Sequence, residues 1–132
     1  MRDPLEPVPE QTEAIARSIV DAALALHRVL GPGLLESAYE TCLAYELERR
    51  RHAVLKQVAL PVVYESVRLD AGYRVDLMVD DAVLVEVKAV EALTTLHEAQ
   101  LLTYLRLSHR RLGLLINFNV VLLKHGIKRM VL

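Results

Sequence analysis

The chain has one cysteine, Cys42, no tryptophan and a single phenylalanine among its 132 residues. One thiol excludes an internal disulfide framework and fits a reducing cytoplasm, with Cys42 read as a half-buried helix residue. No apolar run reaches the roughly 20 residues that a bilayer span needs. The opening Met-Arg-Asp-Pro-Leu-Glu-Pro is acidic and proline-rich where a secretory leader would be apolar. Neither sign of charge dominates: 16 Lys and Arg against 17 Asp and Glu leave a formal net charge of -1. That removes a global basic field and leaves room only for a local basic groove. A P-loop, a Gly-x-Gly-x-x-Gly turn and a Gly-x-Ser-x-Gly elbow are all missing, so ATP, dinucleotides and serine hydrolysis have no support. The five histidines, His27, His52, His97, His109 and His125, stand at spacings that match no zinc-ligand pattern. His27 is read as structural, and His97 with Glu98 as surface residues.

What is present is apolar and periodic. Hydrophobic residues make up 53% of the chain, enough for the core of one domain over residues 10–132. Residues 1–9, with Pro4, Pro7 and Pro9, read as an extended lead-in. Ile15, Ile19, Ala22, Leu26 and Leu30 recur at helical spacing and predict a helix over 10–30. Gly31-Pro32-Gly33 stops it, and a second helix is expected over 34–51. Three strands are expected next, at 54–65, 67–79 (with a break at Ala71-Gly72) and 82–89. A third helix over 94–108, a buried strand Leu112-Gly-Leu-Leu-Ile-Asn117 and a last short strand from Ile127 complete the order. Helices, a meander, then helix and strands predict an α/β fold with a mixed sheet.

Charges in the middle of this pattern carry the chemistry. In the segment 72–88, Asp76, Glu86 and Lys88 are set among valines and leucines, where an isolated charge is costly to bury unless paired or bound to metal. Strand alternation places Val75, Leu77 and Val79 on one face and Val83, Val85 and Val87 on one face. Burying both rows together puts Asp76, Glu86 and Lys88 on the opposite face. A two-residue turn at Asp80-Asp81 would pair Asp76 with Val85, the wrong parity, so an odd loop or bulge is expected near 80–82. Two acids and a lysine at this spacing are how a metal-dependent phosphodiesterase site is built. The carboxylates are hard oxygen ligands of the kind Mg²⁺ takes, and the Val87 carbonyl is a further candidate ligand. Lys88 is placed to orient or deprotonate a water, or to stabilise charge on a phosphate. The bland reading of Glu-x-Lys alone is a salt bridge on a solvated face.

Glu36, in the first turn of the second helix, shares a face with Tyr39, Leu43 and Leu47 and is a third candidate carboxylate; helix-dipole stabilisation is its simpler explanation. Glu40 lies near that face and weakens the inference. Gln100 and Tyr104, one turn apart, share a face with Leu96 and Leu107; a buried glutamine there needs partners such as Lys88, a metal-bound water or a phosphate. Basic clusters at 49–56, 109–111 and 124–129 are candidate phosphate contacts, or solvated helix ends and turns.

The segment Gly33-Leu-Leu-Glu36-Ser-Ala-Tyr39 resembles the signature of the GxxExxY proteins, a bacterial family within the PD-(D/E)XK nuclease superfamily. The likeness continues through Gly72-Tyr-Arg-Val-Asp76-Leu, Val85-Glu86-Val-Lys88-Ala, His97-Glu-Ala-Gln100-Leu-Leu-Thr-Tyr104-Leu and Leu114-Leu-Ile-Asn117-Phe-Asn119, over residues 10 to 132. It implies a restriction-endonuclease-like core, a mixed sheet of four or slightly more strands flanked by helices. It implies an acid from a helix (Glu36), an aspartate (Asp76), an acid and a lysine (Glu86, Lys88), and the Gln-x-x-x-Tyr element of RecB-like nucleases (Gln100, Tyr104). It also implies one or two Mg²⁺ or Mn²⁺ ions that activate water for attack on a phosphodiester of DNA, or of RNA. A two-fold dimer would present two such sites. The competing expectation is a catalytically silent binding or regulatory module of the same fold, acting as a homodimer.

Overall fold

The computed structural model describes residues 6–70 and 72–132. Helix α1 spans Glu10–Leu30 and α2 spans Glu36–Arg49. Strands β1 (Val54–Ala59), β2 (Val62–Tyr64), β3 (Val67–Leu69), β4 (Arg74–Val79) and β5 (Val83–Lys88) follow. Then come α3 (Thr95–Ser108), β6 (Leu112–Asn117), a 3-10 turn at Leu123–His125 and β7 (Ile127–Val131). The main sheet has five strands in the order β1-β4-β5-β6-β7, and β2-β3 form a separate hairpin. All neighbours are antiparallel except β5 and β6. α3 makes the crossover that a parallel pair requires. This is the mixed sheet flanked by helices that the sequence predicts, with one strand more than the four-stranded core. The expected first long strand is cut at residues 60–61, where Pro61 removes a ladder donor. The expected second strand is divided between β3 and β4. Its anticipated break at Ala71 lies outside the described residues.

The sheet separates two cores. On one side α1 and α2 pack Ile19, Ala22, Leu43 and Leu47 against Leu77, Val79, Val83, Val85 and Val87. On the other, α3 packs Leu101, Tyr104 and Leu105 against Val75, Met78, Leu84 and Leu115. Val75 therefore departs from the expected row: Leu77 and Val79 face α1 and α2, and Val75 faces α3. Alternation in β4 breaks at Asp76, and the neighbouring strand is irregular at the same level. β1 and β4 are paired at Lys56↔Leu77 and again at Val58↔Val75, with no pairing between Gln57 and Asp76. Gln57 has φ 51°, in the left-handed region that non-glycine residues seldom adopt. A left-handed residue reverses the alternation after it, so Val58 moves to the α3 side along with Val75.

Two further features fix the frame. Residues 80–82 form an odd, three-residue loop between the Val79↔Val83 pair, with Asp80 and Asp81 both at positive φ. That parity sets Asp76 opposite Glu86. At the start of α2, Gly31 and Gly33 take φ 67° and 102°. The Tyr39 hydroxyl donates to the Gly31 carbonyl at 2.6 Å and accepts the Leu34 N–H at 3.1 Å. The Tyr39 ring stacks on Phe118 at 4.6 Å between centroids, a contact worth about 0.5–1.5 kcal/mol beyond its area. The tyrosine thus anchors the turn that delivers Glu36. His27, read as structural, is buried with Nε2 against the carbonyls of Phe118 (3.2 Å) and Val120 (2.9 Å).

At the opposite end of β4, His52 joins three segments. Its Nδ1 lies 2.6 Å from Asp80 Oδ2, its Nε2 lies 2.7 Å from Ser18 Oγ, and Asp80 also accepts the Ala53 N–H at 2.8 Å. The serine–histidine–carboxylate order matches a nucleophile relay. Ser18, however, sits inside α1, where the backbone N–H groups are bonded along the helix and none is free to stabilise an oxyanion. The group serves as a clamp. His52→Ala leaves a serine and a half-buried carboxylate without their partner and should lower the unfolding free energy by about 1–3 kcal/mol in urea denaturation. A loss below about 0.5 kcal/mol would remove the clamp from the account of stability.

Candidate active site

The site forms where the β4 and β5 backbones lose their pairing. Their ladder ends at Leu77↔Val85. One step further, side chains take over: the Asp76 N–H donates to Glu86 Oε1 at 2.9 Å, and the Val87 N–H donates to Asp76 Oδ2 at 2.8 Å. Each carboxylate satisfies a backbone donor of the other strand, so both are held on rigid elements. Glu86 is only 5% exposed. Burial first, then repulsion from Asp76, push its carboxyl up to about 7, against lowering by the Asp76 N–H and Lys88. Burial also raises Asp76, and the Val87 N–H and Gln57 oppose it. Lys88 Nζ lies 3.8 Å from Glu86 Oε2.

Lys88 ends β5, opposite Asn117 at the end of β6. Crevices outside the carboxyl ends of parallel strands are the usual ligand positions of such sheets. Here the crevice is stiffened by Asn117, which is buried. Its amide oxygen accepts the Val90 N–H at 3.1 Å and the Asn119 N–H at 3.2 Å, and its nitrogen donates to the Val90 carbonyl at 3.0 Å. The Phe118 N–H donates to the Lys88 carbonyl at 2.9 Å. Asn117 stood in the buried strand of the sequence reading without a role.

The other sequence candidates approach from two sides. Glu36 is exposed at the head of α2, and its Oε2 accepts the Ala89 N–H at 3.4 Å. It does not point into the core as its apolar stripe suggested; Tyr39, Leu43 and Leu47 do. It lies close enough to Asp76 and Glu40 to raise both electrostatically. From α3, Tyr104 is buried and lies near Glu86 and Asp76. Burial first, then Glu86, raise its hydroxyl above the ordinary value. Gln100 Nε2 donates to Tyr104 Oη at 3.0 Å. Gln100 is exposed, which corrects the buried glutamine of the sequence reading, and Leu96, expected on the same inward face, is 76% exposed.

Two residues enter the site that the sequence did not single out for it. Gln57 Nε2 stands between Glu40 Oε1 at 2.6 Å and Asp76 Oδ1 at 3.1 Å. Glu40, read earlier as a complication, is thereby linked to the cluster. A signal existed in Lys56-Gln57, two adjacent polar residues in a strand, which a regular alternation cannot place on one face.

Four carboxylates, Glu36, Glu40, Asp76 and Glu86, are thus near enough to influence one another electrostatically. Lys88 lies among them, and Lys56 at the edge is paired with Glu48 at 3.6 Å. The donors are hard oxygens and the charge imbalance calls for a cation, so their chemistry fits Mg²⁺ or Mn²⁺. Among the described residues, no three His, Cys, Asp or Glu side chains converge closely enough to enclose an ion. The polarised amide of Gln57 bridges two of the carboxylates in the manner of a weak cation.

No curated protein and no solved structure matches the chain. The sequence model of the PD-(D/E)XK nuclease superfamily matches residues 13–130, a span that includes every residue of this site. The aspartate on one strand, the Glu-x-Lys on the next and the mixed sheet beneath them agree with that match: the chain belongs to the PD-(D/E)XK nuclease superfamily.

Proposed function

We propose that the chain is a Mg²⁺- or Mn²⁺-dependent nuclease that hydrolyses phosphodiester bonds of DNA. The observation that carries this reading is the buried, mutually bonded pair Asp76 and Glu86 with Lys88 3.8 Å away. Carboxylates held on two strands are preorganised, and preorganised charge is the main resource of phosphoryl chemistry. Glu36, Asp76, Glu86 and the Val87 carbonyl would hold the metal. A bound ion supplies a water nucleophile at neutral pH and neutralises charge on the leaving oxygen. The chain's own residues do the rest. Lys88 orients the attacking water or takes up charge on the phosphate. Gln100 fixes the Tyr104 hydroxyl beside Glu86. Gln57 donates to Glu40 and Asp76 and holds the two carboxylates at the site's edge.

A second reading, a silent binding module that dimerises, has support from the open ligand set and from the β2-β3 hairpin, where Val63, Tyr64, Val67 and Leu69 are all at least half exposed. RNA carries the same scissile group and is a second substrate arm. Incubation with single-stranded, duplex and branched DNA and with RNA, in Mg²⁺ or Mn²⁺, separates the readings. The wild type should cleave at least one substrate, and Lys88→Ala should slow it by about 100-fold or more. No cleavage on any substrate with either metal would sink the nuclease reading.

The acidic cluster also predicts a pH response. Folded Glu86 keeps its proton up to about 7, against an ordinary value of 4.5. Between these values the folded chain binds more protons than the unfolded one, so stability falls as pH rises. In EDTA the loss from pH 4.5 to above 7 should be about 3 kcal/mol, and Glu86→Gln should flatten it. At pH 8, Mn²⁺ should raise the melting temperature of the wild type and leave Asp76→Asn unchanged. An equal metal response in the two proteins would place the ion elsewhere.

A further inference from the structure

Beside the carboxylates, and separate from them, lies a small pocket between β2, the entry to β4 and α3. It has a volume of about 260 Å³ and is lined by Val62, Tyr73, Gln100, Thr103, Tyr104 and Leu107. Drug-sized ligands take roughly 300–1,000 Å³; this space suits one planar ring system. Two of the lining residues are tyrosines. Tyr73 is 49% exposed and free to stack, and its carbonyl accepts the Leu60 N–H at 2.8 Å, which fixes its backbone. Tyr104 is shared: it lines the pocket, and its position places it next to Glu86 and Asp76. Gln100 gives its Nε2 proton to Tyr104, while its side-chain oxygen accepts no hydrogen bond from the described residues. That oxygen is an acceptor at the pocket edge for an exocyclic amine. Thr103 is already engaged, donating to the Ala99 carbonyl and accepting from Arg106.

We infer that this pocket is a nucleobase subsite, which takes an unpaired base of the strand whose backbone reaches the acidic site. The inference rests on the nuclease reading for the identity of the strand and adds its substrate class: single-stranded or locally unpaired nucleic acid. A base within a duplex has its faces covered by neighbours and its edge occupied by its partner, and cannot enter without being extruded. An unpaired base offers both faces to tyrosine. Arg74, the next residue after Tyr73, is exposed and has no ion pair among the described residues. Aromatic surface continues outward as well. Tyr64 is two residues beyond Val62, hence on the same side of β2, and is 73% exposed.

Fluorescence anisotropy with Ca²⁺ present, and strand integrity checked on a gel, tests the subsite. The probes are a short labelled DNA strand, the RNA of the same sequence, an abasic backbone of equal length and charge, and a blunt duplex. The wild type should bind a base-bearing single strand, DNA or RNA, about tenfold or more tighter than the abasic backbone, since stacking on an aromatic ring is worth that much. Tyr73→Ala should reduce the preference to about twofold or less, with an unchanged melting temperature, and Tyr73→Phe should keep it. Equal binding of abasic and base-bearing strands by the wild type, or a preference that survives in Tyr73→Ala, would overturn the subsite. A strong duplex preference would do the same. Cleavage scored separately in Mn²⁺ distinguishes the two ideas: base preference without cleavage removes the nuclease and keeps the subsite, whereas cleavage without base preference does the reverse.

Discussion

The site depends on one exchange of hydrogen bonds. Where β4 and β5 stop pairing, Asp76 and Glu86 each accept a backbone N–H from the opposite strand. An unpaired N–H between two layers of side chains is costly, and the carboxylates remove that cost. The same bonds determine where the carboxylates sit. Burial and repulsion from Asp76 push the Glu86 carboxyl up to about 7 even though the Asp76 N–H opposes that shift. Strain elsewhere serves this exchange. The left-handed Gln57 interrupts the β1-β4 ladder at the level of Asp76 and turns its own side chain toward that residue.

Around the pair, the supporting residues come from distant parts of the chain. Tyr39 fixes the glycine turn before α2 and so the position of Glu36. Asn117 holds the peptide beyond Lys88. α3 crosses the far face and brings Tyr104 under the carboxylates and Gln100 above it. Repulsion among the four acids is tolerated because the sheet holds two of them rigidly and solvent reaches Glu36. Burial of Glu86 and repulsion from Asp76 make its ionised form costly, as is common at sites built into a rigid core.

Much of this was legible from residue patterns. The valine rows of β4 and β5 could be buried together only with Asp76, Glu86 and Lys88 turned away, and that parity required the odd loop now seen at 80–82. The helix over 10–30 followed from its periodicity and the Gly31-Pro32-Gly33 stop, and the strand at 112–117 from its short continuous apolar run. What was missed lies at one level of the sheet. Val75 crosses to the α3 core because alternation in β4 breaks at Asp76, and the left-handed Gln57 beside it in β1 turns into the site and links Glu40 to it. Periodicity within a segment does not report that. Gln100 and Leu96 were misjudged for a related reason: α3 packs by a narrow stripe, Leu101, Tyr104 and Leu105, and residues a short rotation from it face solvent.

By itself the sequence determined which residue types were available, the order of helices and strands, and the register of the central hairpin, because these follow from local periodicity and the expense of burying charge. Only the tertiary structure decided which acids meet, how close Lys88 comes to Glu86, and that a tyrosine-lined pocket adjoins them. Those outcomes depend on contacts between segments tens of residues apart, and their geometry is set by packing across the sheet.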